Sequence, residues 1–230
     1  MKPEIFTDRV LVWLGALPIT ETMLTSLATS LLLVLTMGLL ARAVVRHPSG
    51  QLAAAGRLTF GFLQRLVTET VGRTSPGLEV FVGSLFLFIS GAAVLGQLPV
   101  IAAPTGNLGA ASALAGLVFL AVPVVGIRAR GPVGYLKHYF SPNPLLFPLH
   151  VISELSRTLA LALRLFGNMM SGHLIVALIV ALTGFIVPVP LMALDLLIGL
   201  LQAYIFSILA SVYIGAAIQV GEGEAKEARS

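Results

Sequence analysis

Five apolar runs, each long enough to cross a lipid bilayer, constrain this chain more than any other feature. About 20 predominantly apolar residues suffice for a transmembrane helix. We predict spans at 23–45, 78–101, 108–127, 149–186 and 191–220. Only 10% of the 230 residues are charged, whereas a soluble domain is about 25% charged. The sequence therefore predicts an all-α integral membrane protein with about five transmembrane helices, organised as one membrane domain over residues 1–230.

One further apolar run, and one of the five spans, differ from the rest. Arginines interrupt the apolar residues of 52–71 and follow its end, which favours an amphipathic helix on the membrane surface. The run 149–186 is too long for one perpendicular crossing, so we expect a strongly tilted helix. Pro188 and Pro190 predict a turn before the return run. The last two long helices should therefore form a hairpin.

The basic residues predict the orientation of the chain. The two loops near 102–107 and 183–190 contain no Lys or Arg. Five crossings place ten basic residues together on the opposite side: Arg42, Arg46, Arg57, Arg65, Arg73, Arg128, Arg130, Lys137, Lys226 and Arg229. Because cytoplasmic loops carry an excess of Lys and Arg, we predict an outside N-terminus and a cytoplasmic C-terminus. Their location in loops between spans does not favour nucleic-acid binding.

Arg164 lies in the middle of a predicted span. Its guanidinium stays protonated in proteins, and a charge at the centre of a membrane helix costs about 2.5–3.5 kcal/mol on insertion scales. We interpret Arg164 as the fixed positive element of an ion pathway. Asn168 follows one helical turn later. Arg157 precedes it by seven residues and points within about 20° of the same direction.

Further polar residues accompany Arg164 on the last two helices. Asp195 and Gln202 are seven residues apart on the return helix, and His173 lies further along the helix of Arg164. Polar stripes on such helices face protein or water rather than lipid. Glu154 is three residues before Arg157, within pairing distance. We also predict close helix approach at four glycines: Gly167, Gly172, Gly184 and Gly199.

The segment 154–173 carries a specific motif. Arg164 is followed by Leu-Phe-Gly-Asn-Met, and then by Gly172 and the titratable His173. In this it resembles subunit a of F-type ATP synthases. The segment 200–213, which contains Gln202, is similar to the glutamine-bearing helix of that family. The resemblance covers residues 78–220, with the ion-pathway helices in 149–220.

The resemblance implies an ion-translocating stator subunit of the membrane F0 sector. Such a subunit forms two half-channels beside a ring of c subunits and couples the flow of protons, or of sodium, to rotation and to ATP synthesis or hydrolysis. Arg164 matches the arginine that faces the ring and attracts its ionised carboxylates. His173 and Asp195 match a pair in the outer half-channel. Asn168 and Gln202 would line a hydrated path and position Arg164, while Glu154 and Arg157 would line an inner vestibule.

The resemblance also implies partners and a location. The expected partners are the c-subunit ring, b-type peripheral stalk subunits, the rest of the F1F0 complex and membrane lipid, in a bacterial inner membrane. No GxxxxGK[ST] motif is present, so we expect a non-catalytic subunit without a cofactor or metal. Asn107 and Gly109 stand where many members carry an acid and another polar residue. Together with the short N-terminal region, this resembles the compact N-type branch, some of which pumps sodium, whereas His173 favours protons.

Two other classes of protein are weighed against this interpretation. An ion-coupled secondary transporter often contains inverted repeats and broken helices, and neither is visible in the sequence. An intramembrane metalloprotease would need a motif such as HExxH, which is absent. Purely structural roles remain alternatives for the polar residues, above all for Asn168, Gln202 and the pair His173 and Asp195.

Overall fold

The computed structural model describes residues 10–14, 17–72, 76–97, 104–140, 147–184 and 187–227. Within these ranges six helices dominate: α1 (Glu21–Arg46), α2 (Gln51–Val71), α3 (Pro76–Gly96), α4 (Leu108–Phe140), α5 (Phe147–Thr183) and α6 (Pro188–Glu227). In this described part, α1, α3, α4, α5 and α6 each contain a stretch long and apolar enough to cross a membrane. This confirms the predicted architecture of five membrane-spanning helices.

A short hairpin before α1 was not predicted. Strand β1 (Val10–Leu14) pairs antiparallel with β2 (Leu17–Thr20). Both strands contain β-branched residues, which suit extended backbone, but they precede the first long apolar run. Thr20 then caps α1, since its Oγ1 accepts a hydrogen bond from the backbone N–H of Met23 at 3.4 Å.

The ends of α3 and α4 refine the predicted spans. α3 ends at Gly96, earlier than the predicted end of the span at residue 101. Asn107 caps the start of α4, because its Oδ1 accepts a hydrogen bond from the N–H of Gly109 at 2.7 Å. α4 bends at Gly131, whose φ of 76° suits a residue without a Cβ. The predicted span 108–127 thus ends before the bend.

α2 is amphipathic, as predicted. It packs against α1, α3 and α6, and its buried residues recur at helical spacing: Ala53, Gly56, Leu63, Leu66, Val67 and Val71. Arg57 and Arg65 lie on its exposed side. α2 is not among the helices of the described part that could span a membrane. Its location on the membrane surface stays a prediction.

The core lies between α3, α4, α5 and α6. Its fully buried side chains include Ile89, Ala115, Leu165 and Phe206. The helices contribute unequally, since 44% of the apolar window of α6 is buried but only 12% of that of α5. α5 therefore lies at the edge of the bundle and presents a broad outer face.

The four glycines behave in two ways. A Cβ on Gly199 would lie 2.7 Å from the Cβ of Ala93, so α6 approaches α3 closely there. Gly172 likewise lies in close contact with α6. The prediction is wrong for Gly167 and Gly184 within the described part of the chain, where an added Cβ at either position would meet nothing within 4 Å. Gly184 instead follows the end of α5 with a φ of 78°, and its N–H donates to the carbonyl of Val180.

Candidate functional site

Arg164 lies on the outer face of α5. The opposite face of the same turns is buried in the core through Leu161, Ala162 and Leu165. Arg164 is exposed, together with the neighbouring Leu159 and Leu163. No residue in the described part of the chain forms an ion pair or hydrogen bond with its guanidinium. The structure thus presents one permanent positive charge on an apolar surface.

Asn168 connects α5 to α6. It is half-buried, and its Nδ2 donates a hydrogen bond to the backbone carbonyl oxygen of Ile198 at 3.4 Å. The bond is long, so it allows the amide some freedom. Asn168 therefore lies at the seam between the two helices, one turn from Arg164.

Gln202 lies inside the bundle rather than on its surface. Its exposed fraction is 5%, and its Nε2 has no hydrogen-bond partner among the described residues. The contacts of Asn168 with Ile198 and of Gly172 with Asp195 define the antiparallel register of the hairpin. That register brings Gln202 to the level of Arg164. A buried amide donor without a partner is costly, and water would satisfy it.

Asp195 is held by residues from two other helices. Its Oδ2 accepts a hydrogen bond from Nε2 of Gln97 at 2.9 Å. On its other side lies the backbone of α5, since a Cβ on Gly172 would overlap Oδ1. Asp195 is half-buried. The carboxylate therefore lies between Gln97 at the end of α3 and Gly172 of α5.

Gln97 was missed in the sequence analysis. It lies four residues before the end of the predicted span 78–101, as a single polar residue after a long apolar run. That signal marks a membrane boundary as readily as a functional site. The pairing of Gln97 with Asp195 spans 98 residues and depends on α3 packing against α6, which a linear pattern does not contain.

His173 follows Gly172 in α5. Its backbone is helical, but its side chain lies outside the described part of the structure. The predicted pairing of His173 with Asp195 accordingly stays a prediction. The position of Gly172 places the two residues on neighbouring parts of α5 and α6.

Glu154 and Arg157 form a separate cluster towards the start of α5. Nη1 of Arg157 lies 3.6 Å from Oε2 of Glu154, which is the expected pairing three residues apart. The guanidinium carbon of Arg157 also lies 4.3 Å from the centre of the Tyr213 ring on α6. This contact is a cation–π interaction. Arg157 is thus anchored by two neighbours, in contrast to Arg164.

The polar residues divide the hairpin into three levels. Asp195 with Gln97 lies at one level, Arg164, Asn168 and Gln202 at the next, and Glu154 with Arg157 at the third. From residue 157 to residue 172 the axis of α5 rises by about 22 Å. The described residues contain no group of three or more His, Cys, Asp or Glu side chains that could hold a metal ion.

Comparison with known proteins gives a consistent result. The profile of the family described as ATP synthase A chain matches residues 23–215. ATP synthase subunit a 2 of Picosynechococcus sp. is 51% identical over 162 residues, covering 70% of this chain and 69% of that protein. ATP synthase subunit a 2 of Bradyrhizobium sp. is 37% identical over 225 residues, covering 95% and 97%. ATP synthase subunit a of Legionella pneumophila is 38% identical over 226 residues, covering 96% of each chain.

Proposed function

Since the chain belongs to the ATP synthase A chain family, we propose that Arg164 is the fixed positive charge of its ion-translocation path. As subunit a, the protein is an ion-translocating stator subunit of the membrane F0 sector and part of the ATP synthase complex. The comparisons give no support to a secondary transporter. The observation that carries the role of Arg164 is its exposure on α5 without an anionic partner in the described part of the chain.

The partner that relieves this charge belongs to another subunit. An unpaired guanidinium at the depth of the bilayer is costly, and an opposite charge from a neighbouring surface would reduce that cost. The exposed face of α5 is apolar around Arg164, so it suits a membrane-embedded partner. A ring of c subunits, each with a carboxylate at this depth, fits both requirements. Arg164 would favour the ionised carboxylate and hence release of its bound ion.

The other two levels of polar residues correspond to the two half-channels. Asp195 and His173 form the outer half-channel, which admits protons to the ring. Glu154 and Arg157 line the inner vestibule, where their mutual pairing supports a fixed wall rather than a mobile charge. Arg164 separates the two and prevents a proton from passing directly between them.

The remaining proposals concern the orientation of the chain, its membrane, its further partners and the coupling ion. The excess of Lys and Arg in the loops and the tail supports a cytoplasmic C-terminus and an outside N-terminus. The proposed location is a bacterial inner membrane. The peripheral stalk would be completed by b-type subunits, and ATP chemistry would occur elsewhere in the complex. The subunit is thus non-catalytic. His173 favours protons as the coupling ion because an imidazole titrates near neutral pH.

ATP-driven acidification by the whole complex in sealed vesicles tests the proposal. We expect Arg164→Ala to abolish acidification while the complex still assembles. Arg46→Ala, which removes an exposed arginine at the end of α1, is the matched control and should pump normally. Wild-type acidification in the Arg164→Ala complex would overturn the proposal. Pumping that requires sodium would retain the role of Arg164 but reject protons as the coupling ion.

A further inference from the structure

Gln97 lies where α3 ends against α5 and α6. Its backbone N–H donates to the carbonyl of Val94 at 3.2 Å and closes the last turn of α3. Its side chain leaves the helix end and reaches α6, where Nε2 donates to Oδ2 of Asp195 at 2.9 Å. Both residues are half-buried. The hydrogen bond is charge-assisted when Asp195 is ionised, and such bonds are about twice as strong as neutral ones.

Gly172 contacts the Asp195 carboxylate on the side away from Gln97. A Cβ at this position would overlap Oδ1 and lie 2.5 Å from Cγ of Asp195. No larger residue fits without displacing the carboxylate. Gln97 and Gly172 therefore confine Asp195 from two sides, and His173 is the next residue of α5.

An amide suits this position because it can bond to both protonation states of a carboxyl group. Its NH2 group donates to an ionised carboxylate, and its carbonyl oxygen accepts from a protonated one. A rotation of the amide about its last torsion exchanges the two. This rotation leaves Gln97 uncharged.

We propose that Gln97 is a positioning residue for ion translocation, which holds the Asp195 carboxylate against Gly172 of α5 before and after each proton transfer. This inference rests on the proposed function and adds Gln97, the residue that follows α3, to a path otherwise built from α5 and α6. Gln97 itself neither gains nor loses a proton. Its contribution is to keep one geometry for the group that does.

The test compares Gln97→Glu and Gln97→Met across a range of pH. The readout is ATP-driven proton pumping by the whole complex in vesicles, normalised to the amount of assembled complex. Glutamate has the shape of glutamine and, when protonated, still offers a donor to Asp195. When both groups are ionised they repel each other. Among the described residues, none forms an ion pair with Asp195. The titratable groups that the test considers are therefore the introduced carboxyl group, Asp195 and His173, which follows Gly172 in the sequence.

We expect Gln97→Glu to pump at nearly the wild-type rate at the acidic end of the range and to lose pumping as pH rises. Gln97→Met should be slower at every pH, by about tenfold, the effect of losing a hydrogen bond to a charged group. Gln64→Met, at an exposed glutamine of α2, is the matched control and should leave pumping unchanged.

Two results would overturn the inference. One is wild-type pumping by Gln97→Met. The other is a Gln97→Glu profile that keeps the wild-type shape, whether at full or at uniformly reduced rate. If Gln97→Met does not assemble, the profile of Gln97→Glu decides alone. Loss of pumping in Arg164→Ala combined with unaffected Gln97 variants would reject this inference and leave the proposed function intact.

Discussion

The amide nitrogen of Asn168 lies 3.4 Å from the backbone carbonyl oxygen of Ile198, across the seam between α5 and α6. In a regular helix the same carbonyl accepts the backbone N–H of residue 202. Asn168 therefore contacts α6 one turn before Gln202 and one turn after the level of Arg164. The contact joins polar residues of two helices into one region of the seam.

This geometry makes Asn168→Asp a more damaging change than Asn168→Leu. An aspartate four residues after Arg164 would share its helix face and could pair with the guanidinium. The pair would neutralise the charge that the proposed ion path requires, so we expect loss of ATP-driven pumping in vesicles. Asn168→Leu removes one long hydrogen bond and should only slow pumping. Equal rates for the two variants would contradict an electrostatic role for Arg164.

Gln202 should show opposite effects on stability and on pumping. Its Nε2 is buried without a partner in the described part of the chain, and such a group costs about 1–3 kcal/mol. Gln202→Met removes this cost with little change in shape. We expect the variant to resist thermal unfolding in detergent better than wild type, but to pump more slowly because the proposed path loses a neutral polar side chain at the level of Arg164.

The control for this change is Gln64→Met, whose glutamine is exposed on α2. It should alter neither property. If Gln202→Met were less stable than wild type, the amide would have a partner that stabilises the fold. Unchanged pumping would assign Gln202 a purely structural role.

The sequence was sufficient to predict the helices and the central charge. Long apolar runs define α1, α3, α4, α5 and α6 because each must bury its backbone polar groups within one helix. Arg164 was identifiable because a charge contrasts sharply with its apolar neighbours. The exposure of Arg164 on the outer face of α5 was not predictable in the same way, since apolar residues surround it on both faces of the helix.

Contacts between distant segments could not be predicted. Gln97 looks like a boundary residue until α3 packs against α6 and brings it to Asp195. The glycines show the same limit. Gly167 and Gly199 occupy similar helical contexts, but within the described part of the chain Gly199 meets a neighbouring helix and Gly167 does not. Helix periodicity gives the direction of a side chain and not the identity of the surface opposite it.

The contact between Arg157 and Tyr213 predicts a measurable coupling. The guanidinium carbon lies 4.3 Å from the ring centre, and both residues are half-buried. Such contacts contribute about 0.5–1 kcal/mol at partly exposed sites. We expect a double-mutant cycle of Arg157→Gln and Tyr213→Leu, followed by thermal unfolding, to yield a coupling of this size. Tyr213→Phe keeps the ring and should behave as wild type, whereas additive effects of the two substitutions would exclude the interaction.

The close approach of α6 to α3 predicts that Gly199→Ala destabilises the fold. The new Cβ would lie 2.7 Å from the Cβ of Ala93, and overpacking of this kind costs about 1–3 kcal/mol. Gly116→Ala is the matched control, because an added Cβ there meets nothing within 4 Å and alanine favours the helix. Thermal unfolding in detergent should separate the two. Adding Ala93→Gly to Gly199→Ala restores the space between the two helices. The double variant should therefore recover much of the lost stability. If it does not, the strain caused by Gly199→Ala lies at another contact.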